Sequence, residues 1–237
     1  MHQLGHTRSR HCADHRLQTP DTFVRASWPG MTNATAIVHT APAAGAKFVQ
    51  YTAEFAAHGE LAAGEPQRFI YVLEGEVEAL GKTLSAGAYA YLPAAESRIA
   101  SADGCRVAII EKPYQPSVGG AIPAGFVGAE RTIVPQPLMG DPDLEVRSLI
   151  PADTAFDFAV NTMTFAPGAA LPMVEIHVME HGLLFLAGGG IYRLGDHWYP
   201  VTAGDFIYMA PYCPQWFGAL GKTPAKYLIY KDWNRPA

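Results

Sequence analysis

The chain has 237 residues, 49% of them hydrophobic and 16% charged, with a formal net charge of −5 and a pI near 6.0. That length holds one large or two small domains and a real core. The lack of a basic stripe argues against a nucleic-acid partner, and no apolar run approaches the ~18–20 residues of a membrane span.

The first residues, MHQLGHTRSRHCADHR, are polar and lack the apolar core of a secretory signal, so residues 1–20 are expected to form an arm ahead of the fold. Strand-like runs follow: KFVQYTAEF, FIYVLEGEVEAL, AYAYLP and CRVAIIEKPY, rich in Val, Ile, Tyr and Phe and bounded by Gly and Pro. They define a first domain over 21–118. Gly and Pro then cluster in GGAIPAGFVGAERTIVPQPLMGDPD, which reads as a linker over 119–145 holding a short helix or irregular stretch. A second set of runs, NTMTF, LLFLAGGGIYRL, DFIYMAP and AKYLIYKD, defines a second domain over 146–237. No long segment has helical periodicity, so the class is all-β. Cys12, Cys105 and Cys213 are odd in number and far apart, which favours a reducing, cytoplasmic setting over a disulfide framework. No CxxC pair marks a structural zinc site.

The two domains are copies of one pattern. RFIYVLEGEVEALGKTLSAGAYAYLP (68–93) and HGLLFLAGGGIYRLGDHWYPVTAGDFIYMAP (181–211) both read strand, Gly turn, strand, hairpin, AG, strand, Pro. Arg68 precedes Gly75 by seven positions, as His181 precedes Gly188. Each copy has the strand content of a small sandwich or barrel. The copies differ in chemistry. The second contains EIHVMEHG (175–182); the first-copy positions matching Glu175, His177 and His181 are Ala62, Gly64 and Arg68, and Gln215 matches Ser97 or Arg98.

Side chains alternate along a strand, so Glu175 and His177 share a face, and His181 joins them if the strand continues or bends. Burying a carboxylate and two imidazoles without a partner is costly, and a divalent cation removes that cost. Gln215, opening a later strand, adds a neutral amide oxygen. Two nitrogen and two oxygen donors with room for more suit Mn²⁺ or Fe²⁺ better than structural zinc. Surface polar residues at a strand end are the plainer reading, against which the Glu, the repeat register and the downstream Gln all count.

The paired Gly-rich barrels with an ExHxxxH set resemble bicupins, two double-stranded β-helix (jelly-roll) barrels in one chain. FAPGA (165–169), EIHVMEHG, GIYRLGDHWYPVTAGDFIYM (190–209) and YLIYKDWNR (227–235), with RFIYVLEGEV (68–77), are similar to the (S)-ureidoglycine aminohydrolase family of purine (allantoin) degradation. The resemblance runs from about residue 25 and is strongest after 160. It implies a metal-free first barrel and one Mn²⁺ held by Glu175, His177, His181 and Gln215. It also implies a small-molecule substrate touched by Tyr192, Tyr227 and Lys231, release of ammonia to give (S)-ureidoglycolate, and a homo-oligomer. The arm and the PYCPQWFG segment around Gln215 match the family pattern loosely. Competing readings are another metal-dependent cupin enzyme, such as an Fe²⁺ dioxygenase, and a bicupin that binds a small molecule without catalysis.

Overall fold

The computed structural model describes residues 5–117 and 120–235; the outermost four residues of the expected arm and the first residue of the expected linker lie outside them. The chain divides into two compact units. One contains Val24–Val134 and Leu149–Asp157. The other contains the described residues up to Phe23, Pro135–Ser148, and the chain from Phe158 onward. Both are built of antiparallel strands, with only short 3-10 turns among the described residues.

In the second unit the larger sheet has the order Gln136–Leu138, Asp141–Ser148, Ala159–Phe165, Ala225–Lys231, His181–Ala187, Phe206–Met209, His15–Gln18 and Arg10–His11. A smaller sheet runs His197–Thr202, Gly189–Leu194, Gln215–Ala219. Strict alternation shows which face is inside: Gly190, Tyr192 and Leu194 are buried while Gly189, Ile191 and Arg193 are less so. The core brings Phe165, Phe185, Tyr192, Phe217 and Tyr227 together. Phe165 and Phe217 meet edge to face at 4.9 Å and 88°, the favoured geometry for aromatic quadrupoles. LLFLAGGGIYRL breaks between the two sheets at Gly188, whose φ of 63° suits glycine and where a Cβ would lie 2.4 Å from the Pro224 carbonyl oxygen.

Two segments differ from the sequence reading. The expected arm is not a free tail. Its strand His15–Gln18 pairs with Phe206–Met209, because Leu17 is a core residue and both strands complete their ladders this way. The expected linker holds strands Phe126–Ala129, Gln136–Leu138 and the start of Asp141–Ser148, and the helical content of its described residues is one 3-10 turn at Glu130–Thr132. Its prolines and glycines mark turns between short edge pairings.

The first unit repeats the ladder with other chemistry. Arg68 faces Glu111 across its strand pair, at the register where His181 faces Lys231 in the second unit. The Arg68 Nε donates to Glu111 at 2.5 Å, and Nη1 donates to the carbonyls of Ala62 at 2.6 Å and Ser97 at 2.5 Å. By the sequence register Ala62 matches Glu175, and Ser97 is one of the two positions, with Arg98, that match Gln215. A guanidinium thus gathers one carboxylate and two backbone carbonyls in the first unit.

Candidate metal centre

Glu175 and His177 do not lie in a regular strand, as alternation alone predicts; the segment after Pro172 is irregular and touches the sheet at one isolated bridge. There the Glu175 N–H donates to the Gln215 carbonyl at 2.8 Å and the Gln215 N–H returns a bond at 2.9 Å. This pins two ligand candidates side by side. The alternation survives locally: Glu175 and His177 turn inward, while Val174, Ile176 and Val178 face out. The chain then bends, and His181 opens its strand at the same end.

Glu175 touches His177, His181 lies against His177, and Gln215 sits beside Glu175, but Glu175, His177 and His181 do not bring one ligand atom each within 4.8 Å of one another. His177 Nε2 lies 3.0 Å from Glu175 Oε2, and the rings of His177 and His181 meet edge to face at 5.2 Å. Gln215 Oε1 accepts a hydrogen bond from the Tyr192 hydroxyl at 3.2 Å. Tyr192 also reaches the Met209 sulfur at 3.8 Å, so this phenol orients the amide from behind. His181 is 2% exposed, and its Nδ1 has no hydrogen-bond partner. Burial first, then the positive charges of Lys231 and His177, push its pKa down to about 3. The ring is neutral at pH 7 and keeps a lone pair for a cation. Leaving a buried polar nitrogen unpaired costs about 1–3 kcal/mol, which a bound ion offsets. A carboxylate, two imidazoles and an amide oxygen are also the donor types a divalent cation takes.

Lys231 ends its strand directly across the ladder from His181. Burial lowers its pKa, and the Glu175 carboxylate opposes that shift. Tyr227 is packed among Phe165, Phe185 and Phe217. Burial, followed by Tyr192 and Glu175, raises its phenol well above the usual value. Burial raises the Tyr192 phenol as well, so both tyrosines are neutral at pH 7, and Tyr192 donates to Gln215. Glu180, off the ligand row by parity, is buried and accepts from the Tyr208 hydroxyl at 3.1 Å.

Sequence reasoning passes over one cluster altogether. Cys12 and His15 from the arm meet His197 from the hairpin of the smaller sheet. No local spacing announces this set, because His197 lies some 180 residues from Cys12 and His15 and only the arm's strand pairing brings them together.

A cupin-domain family model matches residues 161–230. The (S)-ureidoglycine aminohydrolase of Arabidopsis thaliana is 41% identical over 242 residues, covering 98% of this chain and 80% of that protein. The (S)-ureidoglycine aminohydrolase of Escherichia coli K12 is 33% identical over 231 residues, covering 92% and 88%. Among solved structures, protein Ylba from E. coli superposes with a TM-score of 0.81 at 30% identity, covering 94% of this chain and 93% of that one.

Proposed function

The chain belongs to the (S)-ureidoglycine aminohydrolase family of cupin proteins, and from that membership we propose that its second unit hydrolyses the C–N bond of (S)-ureidoglycine. The products are (S)-ureidoglycolate and ammonia. The observation that supports the assignment to this unit is the buried, unpartnered Nδ1 of His181, with His177 and Glu175 as successive neighbours, Gln215 beside Glu175, and Lys231 across the ladder from His181. Glu175, His177, His181 and Gln215 would hold the divalent cation, Mn²⁺ or else Fe²⁺, as their mixed nitrogen and oxygen donors favour. When bound, it supplies an electrophilic anchor for the substrate's carboxylate or amine and steadies developing charge.

The chain's own groups supply the proton traffic. The C–N bond breaks and its nitrogen takes a proton; the water oxygen bonds to the carbon and gives one up. The two transfers cancel, so a single group that donates and then recovers a proton suffices. Lys231 is that group, because its burial brings the neutral amine closer to physiological pH. Tyr192 holds Gln215 in position, and Tyr227 places a neutral phenol near Tyr192 and Glu175. The first unit is metal-free in this account, with Arg68 as its resident cation.

Two coarser features fit this reading. Met173, Val174, Ile176 and Val178 form an outward apolar row, which supports self-association. Cys12, Cys105 and Cys213 are all free thiols, which supports a reducing compartment, and no helix is long and apolar enough to cross a membrane. The oxygenase and binding-only alternatives find no favour in relatives named for this hydrolysis.

Lys231→Ala tests the role assignment. The variant is expected to bind metal stoichiometrically and to lose at least ~100-fold in kcat. Normal turnover would remove Lys231 from the mechanism.

A further inference from the structure

A second set of ligating side chains lies in the same unit, and nothing in the hydrolysis uses it. The arm folds back on itself between Arg10–His11 and His15–Gln18, with the Cys12 N–H donating to the His15 carbonyl at 2.9 Å. This tight turn puts Cys12 and His15 next to His197, the first residue of the strand His197–Thr202. One ligand atom from each of the three lies within 4.8 Å of the others.

The surroundings are those of a metal-binding imidazole. His15 is 1% exposed, and its Nδ1 lies 2.8 Å from Asp14 Oδ1. A carboxylate there keeps the proton on Nδ1 and leaves Nε2 as the electron-pair donor, the arrangement that commonly supports histidine ligands. Nε2 lies 2.8 Å from the Tyr199 hydroxyl, and Cys12 Sγ lies 3.9 Å from the same hydroxyl. The His15 and His197 rings are 5.6 Å apart, with Tyr199 stacked on His197 at 6.1 Å. Zinc bonds of about 2.0–2.3 Å in a tetrahedron require ligand atoms about 3.3–3.8 Å apart. Side-chain adjustments of about 1 Å therefore close the set, and exposed His197 and half-buried Cys12 have that freedom.

We propose that Cys12, His15 and His197 bind a second divalent cation of the zinc class, with Asp14 orienting His15 and the Tyr199 hydroxyl or a water in the fourth position. One thiolate and two imidazoles are softer than the donors around Glu175, so the two centres select different metals. The ion clips the arm to the hairpin across a long stretch of chain. Asp14, His15 and Cys213 form a rival triple. It is disfavoured because it takes the carboxylate away from His15 and relies on a buried thiol that is shared between the Pro214 carbonyl, at 3.6 Å, and Asp14 itself.

Cobalt(II) titration of the metal-stripped full chain tests this. A near-ultraviolet thiolate-to-cobalt charge-transfer band is expected, discharged by an equivalent of Zn²⁺. The band is lost in Cys12→Ser and persists in Cys213→Ser. Asp14→Ala weakens cobalt binding about 10–100-fold. His197→Ala, altering an exposed residue, keeps the fold and weakens the cobalt binding read at the thiolate band at least ~10-fold; it stands in if Cys12→Ser does not fold. The oxygen and nitrogen donors around Glu175 cannot give a thiolate band, so the outcome is independent of the hydrolytic assignment. Absence of the band in the folded parent, its survival in Cys12→Ser, or its loss only in Cys213→Ser would each overturn the proposed site.

Discussion

Replacing Arg68 with methionine removes the cation from the centre of the first unit. Its partner is Glu111; the two side chains are 5% and 7% exposed, so water cannot take over. Glu111 keeps the Tyr51 hydroxyl at 2.9 Å, but that is one neutral donor for a full charge. The carbonyls of Ala62 and Ser97 lose their shared donor. Breaking one side of a buried ion pair costs about 3–5 kcal/mol, whereas replacing both sides by apolar groups is often nearly neutral. Urea unfolding at pH 7 is therefore expected to show Arg68→Met destabilised by about 3–5 kcal/mol. Arg68→Met/Glu111→Leu should recover most of the loss, giving a coupling of at least ~2 kcal/mol in the double-mutant cycle. A single-variant cost below ~1 kcal/mol, or additive losses, would refute the view of Arg68 as an internal cation.

Two further perturbations probe different parts of the molecule. Tyr192→Phe deletes the donor to Gln215 Oε1 and is expected to weaken metal binding about 10–100-fold by competition titration with the fold intact; unchanged affinity would take Tyr192 out of the ligand support. His39 is buried beside Thr52, and burial pushes its pKa down to about 3 from 6.5. The unfolded chain takes up this proton first as pH falls. Its neutral form is therefore fully compatible with stability above pH 6.5, and stability is lost between 6.5 and 3 at up to ~1.4 kcal/mol per pH unit. His39→Gln should flatten that slope in denaturation midpoints, and an unaltered slope would exclude His39 as its source.

What the sequence discloses here depends on how local the signal is. The parity of Glu175 and His177, and the seven-residue match between Arg68–Gly75 and His181–Gly188, are short-range patterns; the folded chain displays the same inward alternation and equivalent ladder positions. The exact conformation of 172–180 is not short-range. Its backbone is fixed by the bridge to Gln215, far along the chain, so a strand assigned from alternation fails there. The arm shows the same limit. Nothing in HCADHRLQ says that Leu17 enters the core, since that depends on a free ladder edge at Phe206–Met209. Arg68 reads as a lost ligand in sequence; its role as a replacement charge emerges only with the carbonyls it gathers.

The hydrolysis is assigned to the metal site centred on Glu175. The direct measurement is ammonia release from (S)-ureidoglycine, generated in place, by the metal-stripped chain, by the chain reloaded with Mn²⁺, and by Glu175→Ala treated alike. Metal-dependent, stereospecific formation of (S)-ureidoglycolate above the spontaneous rate, lost in Glu175→Ala together with its bound metal, is the predicted result. A folded, metal-loaded chain that leaves the spontaneous rate unchanged, or a Glu175→Ala variant that keeps full activity, would contradict it.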